Sequence, residues 1–112
     1  MTFAVAQDGS VSARFSARFL FEGYKGVLHG GVCAALLDSA MTNCLFARGL
    51  PAVTAELSVK YLKPVRCGRD LDVKGWLVKE YPPLYVLKGE ISQGGNRLVC
   101  GEAKFIQTQD GV

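Results

Sequence analysis

The chain is poor in the residues that hold metals, with one histidine and four cysteines among 112 residues. His29 stands alone, and Cys33, Cys44, Cys67 and Cys100 contain no Cys-x-x-Cys pair, so no metal centre is expected. Cys33 and Cys44 fall on one predicted helix about 16 Å apart and cannot bridge. Reduced thiols in a cytoplasmic protein are therefore expected. Charge of one sign is also scarce. Thirteen basic residues against ten acidic give a net charge of +3, and no two basic residues are adjacent. That leaves no stripe for nucleic acid. The start, Met1 to Asp8, lacks the basic segment and the long apolar stretch of a secretion signal. Between Gly26 and Ala47 the only charge is Asp38. With Thr42, Asn43 and a His-Gly-Gly entry, that stretch reads as a buried helix and not as a membrane span.

Apolar residues make up 49% and charged residues 21%, the balance of one globular domain over residues 1–112. Val11 to Phe19 alternates apolar and polar positions, which predicts a strand with one buried face. Gly30 to Ala47 predicts a helix whose apolar arc is so wide that it must be covered on nearly all sides. Arg48-Gly49-Leu50-Pro51 ends it. Then Val53, Ala55, Leu57, Val59 and Tyr61 alternate with Thr54, Glu56, Ser58 and Lys60. Asp70–Tyr81, Leu84–Gln93 and Arg97–Thr108 follow, the last pair joined by a Gly94-Gly95-Asn96 turn. Short connections make these three an antiparallel meander. The fold class is α+β, a curled five-stranded sheet wrapped around one long helix. A second copy of the chain is expected to cover the helix's far side.

Two features of the helix bear on chemistry. Gly30 and Gly31 at its start leave the first N–H groups bare, and aligned peptide dipoles add positive charge there. This is either a tight loop-to-helix junction or the electrostatics that polarises an ester or thioester carbonyl. Asp38 sits mid-helix beside Ala34, Ala35, Met41 and Thr42, where neither propensity nor apolar packing favours a carboxylate. It is either a side chain reaching the surface or bonding Thr42, or a base or nucleophile facing a cleft.

His29-Gly-Gly, six further residues and then Asp38-Ser-Ala-Met resembles the hotdog-fold acyl-CoA thioesterases of the phenylacetate-degradation type. Phe21 to His29 is similar to their lead-in loop, and Thr54 to Pro64 to the strand after their helix. The resemblance runs from about Arg18 to Phe105. It implies hydrolysis of an acyl-CoA thioester, with coenzyme A as part of the substrate and no separate cofactor. Asp38 matches the catalytic carboxylate, as general base or nucleophile, and Gly30 the residue whose N–H polarises the carbonyl. His29 matches the residue beside the thioester, and Thr54 one that helps hold the attacking water. Gly31 is a further candidate for substrate contact. Lys63, Arg66 and Arg69, with Arg48 and Arg97, are candidates for the coenzyme phosphates. Gly23 stands where some relatives carry an Asn, so amide assistance there is absent. The family builds its site across two chains, as a homodimer or a dimer of dimers. Geometry agrees, since Gly30 and Asp38 lie about 12 Å apart along one helix. A non-catalytic acyl-CoA-binding module is the main rival and a hydratase the lesser one. Binding alone gives no reason for Asp38, and a His followed by Gly-Gly lacks a hydratase's paired acid.

Overall fold

The computed structural model describes residues 2–16 and 26–108. In chain order these form β1 (Ala4–Val5), β2 (Val11–Ser16), α1 (Gly30–Phe46), β3 (Ala52–Tyr61), β4 (Asp70–Tyr81), β5 (Leu84–Gln93) and β6 (Asn96–Gln107). The sheet therefore has six strands, one more than expected, because Ala4–Val5 pairs with Val11–Ser12 as a short antiparallel edge. The end of the expected first strand, Ala17 to Phe19, and the lead-in loop with Gly23 lie outside the described residues. Strand order is β1-β2-β4-β5-β6-β3, and every pairing is antiparallel. The meander β4-β5-β6 stands as expected. The long β3 returns to the outside of β6.

Strand periodicity places the core on one face. In β4, Leu71, Val73 and Gly75 are buried while Asp72 and Lys74 are exposed. In β6, Ala103 and Phe105 point inward. Against this face α1 lays Cys33, Leu36, Leu37, Ala40, Met41, Cys44 and Leu45. Their three- and four-residue spacing makes one continuous helical stripe.

The helix comes so close because the sheet has a row of missing side chains. Gly75 pairs with Gly89, and Gly89 with Gly101, on three neighbouring strands. A Cβ on Gly75 would stand 2.9 Å from the backbone of Ala40, and one on Gly89 or Gly101 within 3.1 or 3.2 Å of Leu37. Leu37 fills the space so left and is completely buried, which is worth about 1.5–3 kcal/mol.

The helix ends at Phe46, one residue short of the expected Ala47. Leu50 N–H reaches back to the Leu45 carbonyl and Gly49 N–H to that of Phe46. Gly49, at φ +73°, makes that reversal without a Cβ clash.

A single chain covers only part of α1. Gly31 and Ala35 are exposed, Asp38, Ser39 and Thr42 half-buried, and Phe46 is 72% exposed. The expected cover on nearly all sides is therefore not supplied within one chain. The open stripe runs beside β3, which pairs only with β6 among the described strands.

Candidate active site

Asp38 lies on this open stripe, half-buried and not enclosed in apolar packing. Its Oδ1 accepts a 2.6 Å hydrogen bond from the Thr54 hydroxyl. Its other oxygen has no protein partner among the described residues. The carboxylate is thus held on one side and open on the other.

Thr54 reaches Asp38 because β3 breaks its own alternation. The regular pattern of the sequence would put Thr54 on the same face as Glu56. The structure instead pairs Thr54 with Phe105 and Glu56 with Lys104, leaving Ala55 as the extra residue of a bulge. Residues after the bulge keep Leu57 and Val59 inward, whereas before it Thr54 turns inward to the helix. One inserted residue re-aims the hydroxyl.

At the other end of the stripe, His29 caps α1. Its Nδ1 accepts from Gly31 N–H at 2.9 Å. Gly31 N–H is therefore engaged within the chain, whereas no backbone hydrogen bond takes Gly30 N–H among the described residues. The Tyr61 hydroxyl donates to the Gly30 carbonyl oxygen at 2.6 Å. Burial of that hydroxyl, with the Cys33 thiol nearby, pushes its pKa above the ordinary phenol value. Tyr61 was legible only as an alternating strand residue. The observed contact makes it part of the site.

Beside Gly30 opens a largely apolar cavity of about 340 Å³, lined by Val27, Leu28, Cys33, Tyr61, Leu62 and Pro64. Burial pushes the Cys33 thiol up to about 11, and burial also raises that of Cys44. Both thiols stay protonated at neutral pH, which removes them as nucleophiles.

Lys63, Arg66 and Arg69 are exposed on the segment joining β3 to β4. Gln93, only 7% exposed, fixes that segment from β5. Its Oε1 accepts from Arg66 N–H at 3.0 Å and its Nε2 donates to the Arg66 carbonyl at 2.9 Å. Val65 carbonyl in turn accepts from Leu28 N–H at 2.8 Å, tying the same segment to the entrance of α1. Nothing in the sequence marked Gln93, because its amide replaces a strand pairing visible only in three dimensions. Arg48 lies beyond the opposite end of α1, against Gly9, away from Gly30. Arg97 stands near Glu90 at 4.0 Å, beside a groove of about 410 Å³ that also takes in Trp76, Lys88 and Cys100. That groove is on the sheet's outer face and does not contain Asp38.

No three His, Cys, Asp or Glu side chains gather into a metal-binding group among the described residues, and no helix among them is long and apolar enough to cross a membrane. Asp38 and Gly30 share one helix, eight residues apart, so one chain does not bring them to a common point.

The comparisons with known proteins agree with this architecture. The family model described as thioesterase superfamily matches residues 25–100. Acyl-coenzyme A thioesterase 13 of Homo sapiens is 28% identical over 82 residues, which cover 71% of this chain and 59% of that protein. The chain thus spans 59% of the length of that curated relative. A hypothetical thioesterase from Streptococcus pneumoniae TIGR4, solved with coenzyme A, superposes with a TM-score of 0.89 at 24% identity, covering 96% of this chain and 84% of that one. The E. coli PaaI protein of the phenylacetic acid degradation operon gives 0.88 at 18% identity, covering 96% and 78%. With its one helix laid on a curled antiparallel sheet, the chain has the hotdog fold of these structures and belongs to the thioesterase superfamily.

Proposed function

We propose that the protein, as a single domain, hydrolyses acyl-CoA thioesters in a site shared by two chains. The observation that carries this is Asp38, a carboxylate with one oxygen fixed by Thr54 and the other unpartnered among the described residues, half-buried on the stripe of α1 beside β3. Family membership and the relative named acyl-coenzyme A thioesterase support the substrate class. In the Streptococcus pneumoniae thioesterase, a threonine and an aspartate were each replaced by alanine. Those two residues are sixteen apart, as are Asp38 and Thr54.

Gly30 N–H, at the positive end of the α1 dipole, donates to the thioester oxygen and stabilises the charge that develops on it. Asp38 of the other chain takes the proton of an attacking water, or attacks the carbonyl carbon itself. Thr54 orients the carboxylate. The tetrahedral intermediate collapses by breaking the C–S bond. In the general-base course the leaving thiolate takes up the proton that Asp38 removed from water. In the nucleophilic course an Asp38 acyl anhydride is left, a water hydrolyses it to restore the carboxylate, and the proton released goes to the thiolate. No cofactor is needed for this. His29 and Gly31 line the helix entrance, and Lys63, Arg66 and Arg69 offer charge to the coenzyme phosphates. A homodimer, alone or paired into a dimer of dimers, places two antiparallel helices so that each Gly30 meets the other chain's Asp38. The open edge of β3, with Val53 43% and Tyr61 52% exposed, supports pairing on this side. Four cysteines, none of them in a disulfide, suit the reducing cytoplasm.

The test is thiol release from a panel of acyl-CoAs by wild type and Asp38→Asn. The amide keeps an oxygen for the Thr54 hydroxyl but is neither base nor nucleophile. kcat should fall about 10²–10⁴-fold with KM little changed and the melting temperature held. A near-wild-type kcat would transfer the chemistry elsewhere. A wild type that binds acyl-CoA without turnover would make the protein a binding module.

A further inference from the structure

One peptide group at the entrance of α1 is hydrogen-bonded at both ends. Its carbonyl, that of Gly30, accepts from the Tyr61 hydroxyl at 2.6 Å. Its N–H, that of Gly31, donates to His29 Nδ1 at 2.9 Å. A donor on the carbonyl oxygen draws electron density out of the amide and strengthens the N–H as a donor, so the two bonds reinforce each other. The chain of donors runs one way, from phenol through peptide to imidazole. A ring nitrogen that accepts carries no proton, so the neutral His29 keeps its proton on Nε2. His29 is exposed, and its Nε2–H belongs to the residue just before Gly30, whose N–H takes no backbone hydrogen bond among the described residues.

Both glycines are needed for this arrangement. A Cβ on Gly30 would stand 3.3 Å from the Tyr61 hydroxyl oxygen, and one on Gly31 3.1 Å from His29 Nδ1. Either would press on a member of the chain. Ser, Thr, Asp and Asn are the usual helix caps. A histidine in that place caps the helix equally but also carries a second nitrogen, which the cap does not use.

We propose that Tyr61 is a positioning residue. Through the Gly30–Gly31 peptide it fixes the tautomer of His29 and so presents Nε2–H beside Gly30 N–H as a second donor to the thioester oxygen. The proposal deepens the role given to Gly30 above and rests on that reading. As water adds to the carbonyl, the oxygen gains charge that two donors share. Tyr61 touches no substrate in this account and acts only through the peptide and the ring.

His29 is the only histidine in the chain, so a long-range ¹H–¹⁵N spectrum of uniformly labelled protein contains one imidazole and needs no assignment. At a pH where the ring is neutral, wild type should show Nδ1 unprotonated and Nε2 protonated. Tyr61→Phe, which removes only an oxygen from a half-exposed ring, should move both nitrogens toward the averaged values of mixed tautomers. It should also lower kcat about threefold to tenfold with KM unchanged. His29→Asn still offers an oxygen to Gly31 N–H and should hold the melting temperature, yet lose about 10²-fold in kcat with the missing Nε2–H. A proton on Nδ1 in wild type, or a Tyr61→Phe spectrum identical to wild type, would overturn the positioning role. Wild-type turnover by His29→Asn would reduce His29 to a cap. The spectrum needs no substrate. A wild type inert toward every acyl-CoA therefore refutes the thioesterase reading and the second-donor role, while the tautomer still decides the part of Tyr61.

Discussion

Replacing Gly75 with alanine tests whether the glycine row of the sheet sets the height of the helix that carries Asp38. The added methyl would lie 2.9 Å from the Ala40 carbonyl carbon and 3.1 Å from both the Ala40 oxygen and the Met41 nitrogen. Carbon atoms pack best at about 3.5–4.0 Å, so α1 must retreat locally by roughly 0.6 Å. These neighbours are backbone atoms and cannot rotate aside, which places the cost in the upper half of the overpacking range, about 2–3 kcal/mol. Against this, alanine restricts the unfolded chain and returns about 0.4–1 kcal/mol. The net loss is about 1–2 kcal/mol, or about 4–10 °C in melting temperature for a domain of this size. Asp38 is two residues from Ala40 on the same helix. A retreat of that size stretches its 2.6 Å bond to Thr54 beyond the usual O–H···O range of about 2.5–3.0 Å. Turnover should therefore fall together with stability. Gly101→Ala is the milder comparison, because its nearest neighbours, the flexible end of Leu37 at 3.2 Å and the Ser58 carbonyl oxygen at 3.3 Å, both lie farther off than the Ala40 backbone does from Gly75. Urea unfolding followed through the single Trp76, run beside thiol release, measures both effects. If Gly75→Ala is as stable and as active as wild type, the glycine row does not hold the helix in place.

Two further outcomes follow from the site's surroundings. Burial raises the Cys33 thiol from 9.0 to about 11; because the folded value exceeds the unfolded one, its contribution is present below pH 9 and lost as pH rises toward 11. That loss amounts to about 2–3 kcal/mol, and Cys33→Ala should decline less over that window than wild type, the Cys44 thiol supplying part of what remains. Gln93→Ala strips the clamp from Arg66 and should cost about 1–3 kcal/mol; KM for coenzyme A thioesters should rise while KM for thioesters lacking the nucleotide stays near wild type, and an equal rise for both would disconnect the clamp from phosphate binding.

The sequence carried the elements well because their signals are local. The alternation in Asp70–Tyr81 and the wide apolar arc of Gly30–Phe46 are each read within a few residues, and the structure places strand and helix there. What escaped depends on partners far along the chain. The two-residue strand Ala4–Val5 exists only through its pairing with β2. Thr54 was assigned to the site by resemblance, but its alternation pattern pointed it to the wrong face. The bulge at Ala55 is defined by β6 and has no signature within β3 itself. Asp38 was conspicuous as a lone charge, yet its surroundings were misjudged. A wide apolar arc led to the expectation that a second copy covers the helix's far side, but it does not show that Asp38 itself lies on the stripe left open. Gln93 and Tyr61 read as ordinary strand residues, and only the fold brings them to the peptide groups they hold.

The proposed sharing of the site between two chains makes its own prediction, which depends on the spacing of two residues. Gly30 and Asp38 are separated by eight positions on one helix, about 12 Å, and no rearrangement of side chains closes that distance. A Gly30→Val chain blocks its own helix entrance but keeps a working Asp38. An Asp38→Asn chain has the reverse defect. Each pure variant should be nearly inactive. When the two are unfolded together in urea and refolded in equal amounts, half of the dimers pair one of each. In such a dimer one site carries both substitutions, and the other combines the intact Gly30 of one chain with the intact Asp38 of its partner. One good site in half of the dimers restores about a quarter of wild-type turnover. If each site were instead built within one chain, every site in the mixture would carry a defect and activity would stay at the level of the pure variants. That result would leave the open stripe of α1 without a catalytic reason.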